Sequence, residues 1–155
     1  MLSDRNEMNK RLIKLADSPM SRFWRVEYDV LSTPERVFCT IWELESEVNN
    51  GGFHQYFFNS SGRLVPNVVA ALHAIGASAT VQIVQRAIEA VGQDVQWHDD
   101  RARRVYMNKL SSQATNTLSD LDQAFYKYPD DLTVLLYRYV SEHRAEIGVS
   151  RSPST

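Results

Sequence analysis

The 155-residue chain holds a single cysteine, Cys39, so no internal disulfide framework is open to it and that one thiolate cannot make a structural zinc site. Cys39 sits among Phe38, Thr40 and Ile41 in a helical pattern, the setting of a buried and inert thiol. No apolar run approaches the roughly 18 residues of a membrane-spanning helix, and the N-terminus lacks a signal-peptide core. A cytoplasmic location is the expectation. The two-residue alternation of a half-buried strand is missing throughout, as are tandem repeats and low-complexity linkers. There is no Gly-x-Ser-x-Gly, no phosphate-cradling glycine loop, no dinucleotide fingerprint and no His-Glu-x-x-His spacing. Catalytic residues, metal ligands and cofactors are therefore not expected. Neither sign of charge dominates, with 17 basic against 19 acidic side chains and a net charge of −2.

What is present is a globular composition, 43% hydrophobic and 23% charged, in a chain of one-domain length that can bury roughly two-thirds of its unfolded surface. Helical spacing recurs along it. Met8, Leu12 and Leu15 form a first stripe closed at Asp17 to Pro19, and Met20, Phe23, Trp24, Tyr28 and Leu31 a second. Thr33-Pro34-Glu35 reads as a helix start with Thr33 as N-cap, and Gly51 and Gly52 end that helix. Further helices start at Pro66, Ser78, Asp99 or Asp100, before Leu118, and at Asp130 or Asp131, the last one running on to Ile147. The connections are short, so neighbouring helices pack on one another. The expected fold is all-α, a compact bundle of about seven or eight helices. Residues 1–148 form one domain and 149–155 a loose polar tail.

The least accidental stretch is residues 47–62, Glu-Val-Asn-Asn-Gly-Gly-Phe-His-Gln-Tyr-Phe-Phe-Asn-Ser-Ser-Gly. A helix runs into two glycines, which allow a turn that other residues make only at a cost. Phe53, Tyr56, Phe57 and Phe58 then supply more apolar area than a surface loop needs. Corner packing is the principal expectation: Phe53 and Phe57 dock inward while Asn50 and Asn59 bond backbone groups at the turns. The functional alternative, compatible with that packing, is that Gln55, Tyr56 and Phe58 face outward as interface anchors. Asn49, Asn50, Gly51, Gly52 and Phe53, then Gln55, Phe57, Asn59 and Gly62, with Glu47 before them, resemble the signature of the bacterial DNA-mimic protein family. The resemblance implies an all-helical fold, dimerisation and a non-enzymatic role, in which an acidic surface occupies the DNA-binding face of a transcription regulator.

Duplex DNA carries about one charge per 1.7 Å of axis, so a mimic of this near-neutral composition must concentrate its acids. It does so. Residues 26–62 hold Glu27, Asp29, Glu35, Glu43, Glu45 and Glu47 against Arg36, one basic minus six acidic, a local net of −5. Residues 1–25 hold six basic side chains against Asp4, Glu7 and Asp17. Glu43 and Glu47 share a helix face about 6 Å apart along the axis, whereas Glu45 is rotated by about 200° and points away. Glu27, Asp29, Glu43 and Glu47, with Gln55, Tyr56 and Phe58, are thus the expected protein-binding set, the partner being a DNA-binding regulator or a second copy.

Other constellations are weaker. Glu47, His54 and Gln55 could polarise a water in a small enzyme or ligand-binding pocket, though a structural histidine is the better reading. An immunity-type protein that neutralises a toxin would use the same physics as regulator binding. His98, Asp99 and Asp100 are read as a helix start. Arg101, Arg103 and Arg104 could contact nucleic acid, but without a DNA-reading module direct binding is not expected, and pairing with acids of the same molecule or of a partner is an equal reading.

Overall fold

The computed structural model describes residues 2–17, 23–24 and 26–148. Seven α-helices and no strand occur among them: α1 (Leu2–Asp17), α2 (Thr33–Phe58), α3 (Val65–Ala74), α4 (Ser78–Val91), α5 (Asp100–Asn108), α6 (Ser112–Tyr126) and α7 (Leu132–Glu142), with short 3-10 turns at Tyr28–Val30, Ser60–Leu64 and Arg144–Glu146. The all-α expectation holds. Helix α2 is the axis of the bundle and packs against α3, α5, α6 and α7, while α1 lies on α7 and α4 bridges α3 and α6. Its spacing explains why. Phe38, Ile41, Leu44 and Val48 recur at three- and four-residue steps and are fully buried, so one stripe of α2 meets several neighbours. Each such side chain stabilises the fold by about 1.5–3 kcal/mol relative to exposure.

Local signals place most helix starts. Asp99 Oδ1 accepts the Ala102 N–H at 2.9 Å, and Asp131 Oδ1 the Val134 N–H at 3.3 Å, so both aspartates cap as read. Two starts differ from expectation. Helix α2 is capped by Ser32, one residue before Thr33: Ser32 Oγ accepts the Glu35 N–H at 3.2 Å, and Glu35 Oε1 accepts the Ser32 N–H at 2.9 Å. Ser78 is the first residue of α4, not its cap; the free N–H of Thr80 reaches Asp130 Oδ2 at 2.7 Å, from the loop before α7. The stripe from Met20 to Leu31 is not an α-helix over residues 26–31, where a single 3-10 turn stands; Phe23 stacks on Phe38 at 4.8 Å, and Met20 lies outside the described residues. Helix α7 stops at Glu142, before Ile147. The tail at 149–155 also lies outside them.

The Ser32 hydroxyl donates to the Glu146 carbonyl at 2.7 Å, and Glu35 Oε2 accepts the Gly148 N–H at 3.3 Å, so this cap ties the start of α2 to residues 146–148. Ser32→Ala should therefore cost about 1 kcal/mol, or somewhat more for the lost tertiary bond. The midpoint of urea denaturation at unchanged slope measures it, and an unshifted midpoint would contradict the cap.

Candidate functional site

The corner at Gly51 and Gly52 sits inside α2. A helix end followed by an aromatic turn was expected; instead the helix breaks at Gly51 (φ −158°, ψ 16°) and Gly52 (φ 79°, ψ −177°) and resumes at once through Phe58. Gly52 occupies a region of backbone space that is essentially glycine's alone. Restarting a helix leaves N–H groups without intrahelical partners. One of them, on Phe53, donates to Asp122 Oδ1 of α6 at 2.7 Å, so a residue from another helix serves as the cap. Burial raises the Asp122 carboxyl above its usual range, and the Phe53 N–H opposes that rise. A Cβ on Gly52 would lie 2.4 Å from Asp122 Oδ2.

The break also brings the two halves of α2 together. In a straight helix Asn59 would stand about 18 Å along the axis from Glu47. Here Gln55 Nε2 donates to Glu47 Oε2 at 2.8 Å and Asn59 Nδ2 to the same oxygen at 3.1 Å. Asn59 was expected to bond backbone groups with its side chain; it holds a carboxylate instead. Asn49 donates to the Tyr128 hydroxyl at 2.7 Å, and Asn50 and Gly51 are exposed.

In the second half, Phe53, Tyr56 and Phe57 stand at i, i+3 and i+4 and are all fully buried. Phe53 and Phe57 pack inward as read. Tyr56 does not face outward, a correction that follows from helical register in what was taken for a turn. Its hydroxyl has no hydrogen-bond partner among the described residues. Burial, and then the neighbouring Glu43 charge, raise that phenol well above its usual range. Phe58 stays half-buried, beneath the Arg104 guanidinium at 5.7 Å and stacked on His54 at 6.0 Å.

The carboxylates divide by surroundings. Glu27 and Asp29 are exposed beside the 3-10 turn that leads into α2. Glu43 and Glu47 are half-buried on one side of α2, and the Glu43 carboxyl is raised by burial and then by the Glu47 charge. Glu45, on the other side as expected, accepts the Tyr128 hydroxyl at 3.0 Å; burial raises its carboxyl, while the phenol's hydrogen bond lowers it. Glu35 is 2% exposed and spent on the cap, so it adds nothing to an acidic surface.

The end of α2 rests on Arg103, one of the three arginines for which direct nucleic-acid contact was not expected, and it is paired with an acid of the same molecule. Arg103 is 0% exposed. Its Nε donates to the Phe57 carbonyl at 2.8 Å, one terminal nitrogen to Phe58 and Asn59 carbonyls at 3.4 and 2.9 Å, and the other to the Trp97 carbonyl at 2.7 Å, 3.0 Å from Asp100 Oδ1. Every N–H of the guanidinium thus has an oxygen partner. Hydrogen bonds from Arg63, with Arg103 adding to them, hold the Asp100 carboxyl well below the usual carboxylate range. Gly62 makes room for this: a Cβ there would lie 2.5 Å from Arg103 Nε and 2.4 Å from the Phe57 carbonyl oxygen. The signal in the sequence was slight, an acid three residues before an arginine within a basic run.

The geometry does not assemble the alternative catalytic trio. Glu47 and Gln55 meet, but the His54 ring is turned to the Met107 carbonyl at 3.2 Å. None of the three lines the cleft of about 740 Å³ between α4, α5 and the start of α6, nor the one of about 510 Å³ between α1 and α7. No group of three or more His, Cys, Asp or Glu side chains is arranged to hold a metal ion among the described residues, and no described helix is long and apolar enough to cross a membrane.

Comparison with curated proteins and with solved structures returned no significant match. The family model described as DMP19-like protein, however, matches residues 29–143, from the turn before α2 to the end of α7 and across the whole corner just described. This is the DNA-mimic family that the Asn-Gly-Gly-Phe segment resembles. With most of its length inside that match, the chain belongs to the DMP19-like protein family.

Proposed function

We propose that this domain is a non-enzymatic binding protein whose acidic face, centred on the approach to α2 and its first half, occupies the basic DNA-binding surface of a regulator. Family membership supports the reading. The observation that carries it is the way charge is spent along residues 26–62. The one cation there, Arg36, gives its guanidinium to the Tyr28 and Asp29 carbonyls at 3.1 and 2.5 Å. Glu47 takes its hydrogen bonds from the amides of Gln55 and Asn59. Glu47, held by neutral donors, keeps its charge for a partner.

Glu27, Asp29 and Glu43 are the direct contacts in this proposal, and Glu47 supplies field from a fixed position. Trp24, Val26 and Val30, 46%, 37% and 60% exposed, stand beside Glu27 and Asp29 and give the apolar area that an interface core requires, in a regulator complex or in a homodimer.

The test is capture of partners from host lysate with wild-type protein and with Glu27→Gln/Asp29→Asn/Glu43→Gln, followed by affinity measurement on the partner found. Glu47 is left in place because it closes the corner. A DNA-binding partner should bind the wild type about tenfold or more tightly than the variant and weaken as salt rises. An affinity indifferent to both salt and the three substitutions would sink the proposal.

A further inference from the structure

A second groove, on the opposite charge account, runs between α1 and α7 and encloses about 510 Å³. Its floor is Leu12 and Val140, 3% and 5% exposed, and its walls are the half-buried Leu15, Tyr137 and Ile147. Lys10, Arg11 and Lys14 project along one flank from α1, and Arg144 stands on the other, in the 3-10 turn after α7. All four are exposed. The single acid in the lining is Glu7, which engages Arg11 at 3.3 Å. With Glu7 and Arg11 paired, three further cations, Lys10, Lys14 and Arg144, stand around an apolar trough that holds no other acid in its lining, which is more than a solvated helix face needs.

We propose that this groove binds an acidic amphipathic segment of a partner protein, apolar side chains seated between α1 and α7 and carboxylates on both of its flanks. The two-sided placement of the cations sets the chemistry. A lone carboxylate headgroup would satisfy one flank, whereas an amphipathic helix laid in the trough presents acids to both. The chain's own residues 149–155 carry Arg151 and no acidic side chain, so charge disfavours them as the occupant. All four cations fall outside the family-matched residues 29–143, while Tyr137 and Val140 of the trough fall within them, and none of the groove's lining residues belongs to the acidic face.

The probe is a fluorescein-labelled synthetic helical peptide with leucines at i, i+4 and i+7 and glutamates on the flanking positions, titrated with the full chain and followed by anisotropy. Lys10→Glu/Lys14→Glu and, separately, Arg144→Glu test the two flanks; all three positions are exposed, and circular dichroism checks that the variants remain folded. Binding should weaken about tenfold or more in each variant and in high salt. It should weaken as much when the peptide leucines are replaced by serine. Failure of the acidic peptide to bind overturns the proposal. So does equal binding of the serine peptide, which would leave a patch of charge without a groove. Tight binding of phosphatidylserine vesicles or duplex DNA with none of the peptide would reassign the surface to those partners. An unchanged response of the acidic face to its own substitutions keeps the two readings separate.

Discussion

Arg103→Ala should lower folding stability by about 3–5 kcal/mol, the range found when one partner of a buried, hydrogen-bonded charge is removed. The cause is not lost charge alone. Phe57, Phe58 and Asn59 close α2 with carbonyls that the helix itself does not satisfy, and the guanidinium reaches all three and the Trp97 carbonyl besides. Alanine leaves the buried Phe57 carbonyl and the half-buried Phe58 and Trp97 carbonyls without this donor, while Asn59 keeps its bond from the Gly62 N–H, and it opens a void next to Gly62. Domains of this kind have only about 5–15 kcal/mol in hand, so the substitution removes a substantial share of the stability. Arg103→Lys should recover little, because an ammonium is a point donor and cannot serve carbonyls spread around a planar fork. Thermal and urea denaturation would decide it; a lysine variant as stable as the wild type would mean that the carbonyl contacts contribute little.

The same cluster has a pH signature. The Asp100 carboxyl is depressed in the folded state by Arg63 and Arg103 from an ordinary value of 3.8. A depressed carboxyl contributes stability that is present above its unfolded value and disappears as acid protonates the folded state. Asp100→Asn should thus flatten the loss of stability below about pH 4, and leave less to lose.

Gly52→Ala is the second large effect, about 3 kcal/mol or more. Two causes add. The φ of 79° with ψ near 180° costs a residue with a side chain about 1–3 kcal/mol, and the new methyl would sit 2.4 Å from Asp122 Oδ2. The neighbouring Gly51→Ala is the internal control. Its φ of −158° is ordinary extended backbone, and the three atoms nearest its Cβ all belong to Gln55: the amide end can swing away at the expense of its bond to Glu47, whereas the Gln55 Cβ at 2.9 Å yields only with a small backbone shift. A loss of about 1–2 kcal/mol, smaller than at Gly52, is expected there. Gly52→Ala combined with Asp122→Ala should be less damaging than the two single losses added together, because the collision is removed while the backbone strain persists. Strict additivity in denaturation midpoints would show that Asp122 is not what crowds the site.

These two positions also show where sequence reasoning reached its limit. Asp99 and Asp131 were legible as caps because a cap is written within four residues of chain. The need for glycine at the corner was legible too, but not which glycine. That depends on Asp122, whose bond to Phe53 joins residues 69 positions apart. The six residues from Phe53 to Phe58 are too few to display a helical period, so they read as a turn. Once the turn was assumed, Tyr56 was turned outward, although its spacing from Phe53 and Phe57 is that of one helix face. Glu43 and Glu47 were rightly paired on one side of α2, yet the amides that hold Glu47 come from beyond the break, where periodicity along a straight helix gives no guidance. Arg103 was hidden for the opposite reason. A run of arginines looks like a surface, and only the packing of α5 against α2 buries one of them.

The lone thiol gives the core a clock. Cys39 is 2% exposed on the inward stripe of α2, and burial, with the Glu35 and Glu43 charges behind it, pushes the thiol up to about 12. Reaction with an alkylating reagent requires the thiolate, which the native state hardly populates. Modification must then wait for α2 to leave its neighbours, and its rate counts the openings of the whole bundle, not the chemistry of sulfur.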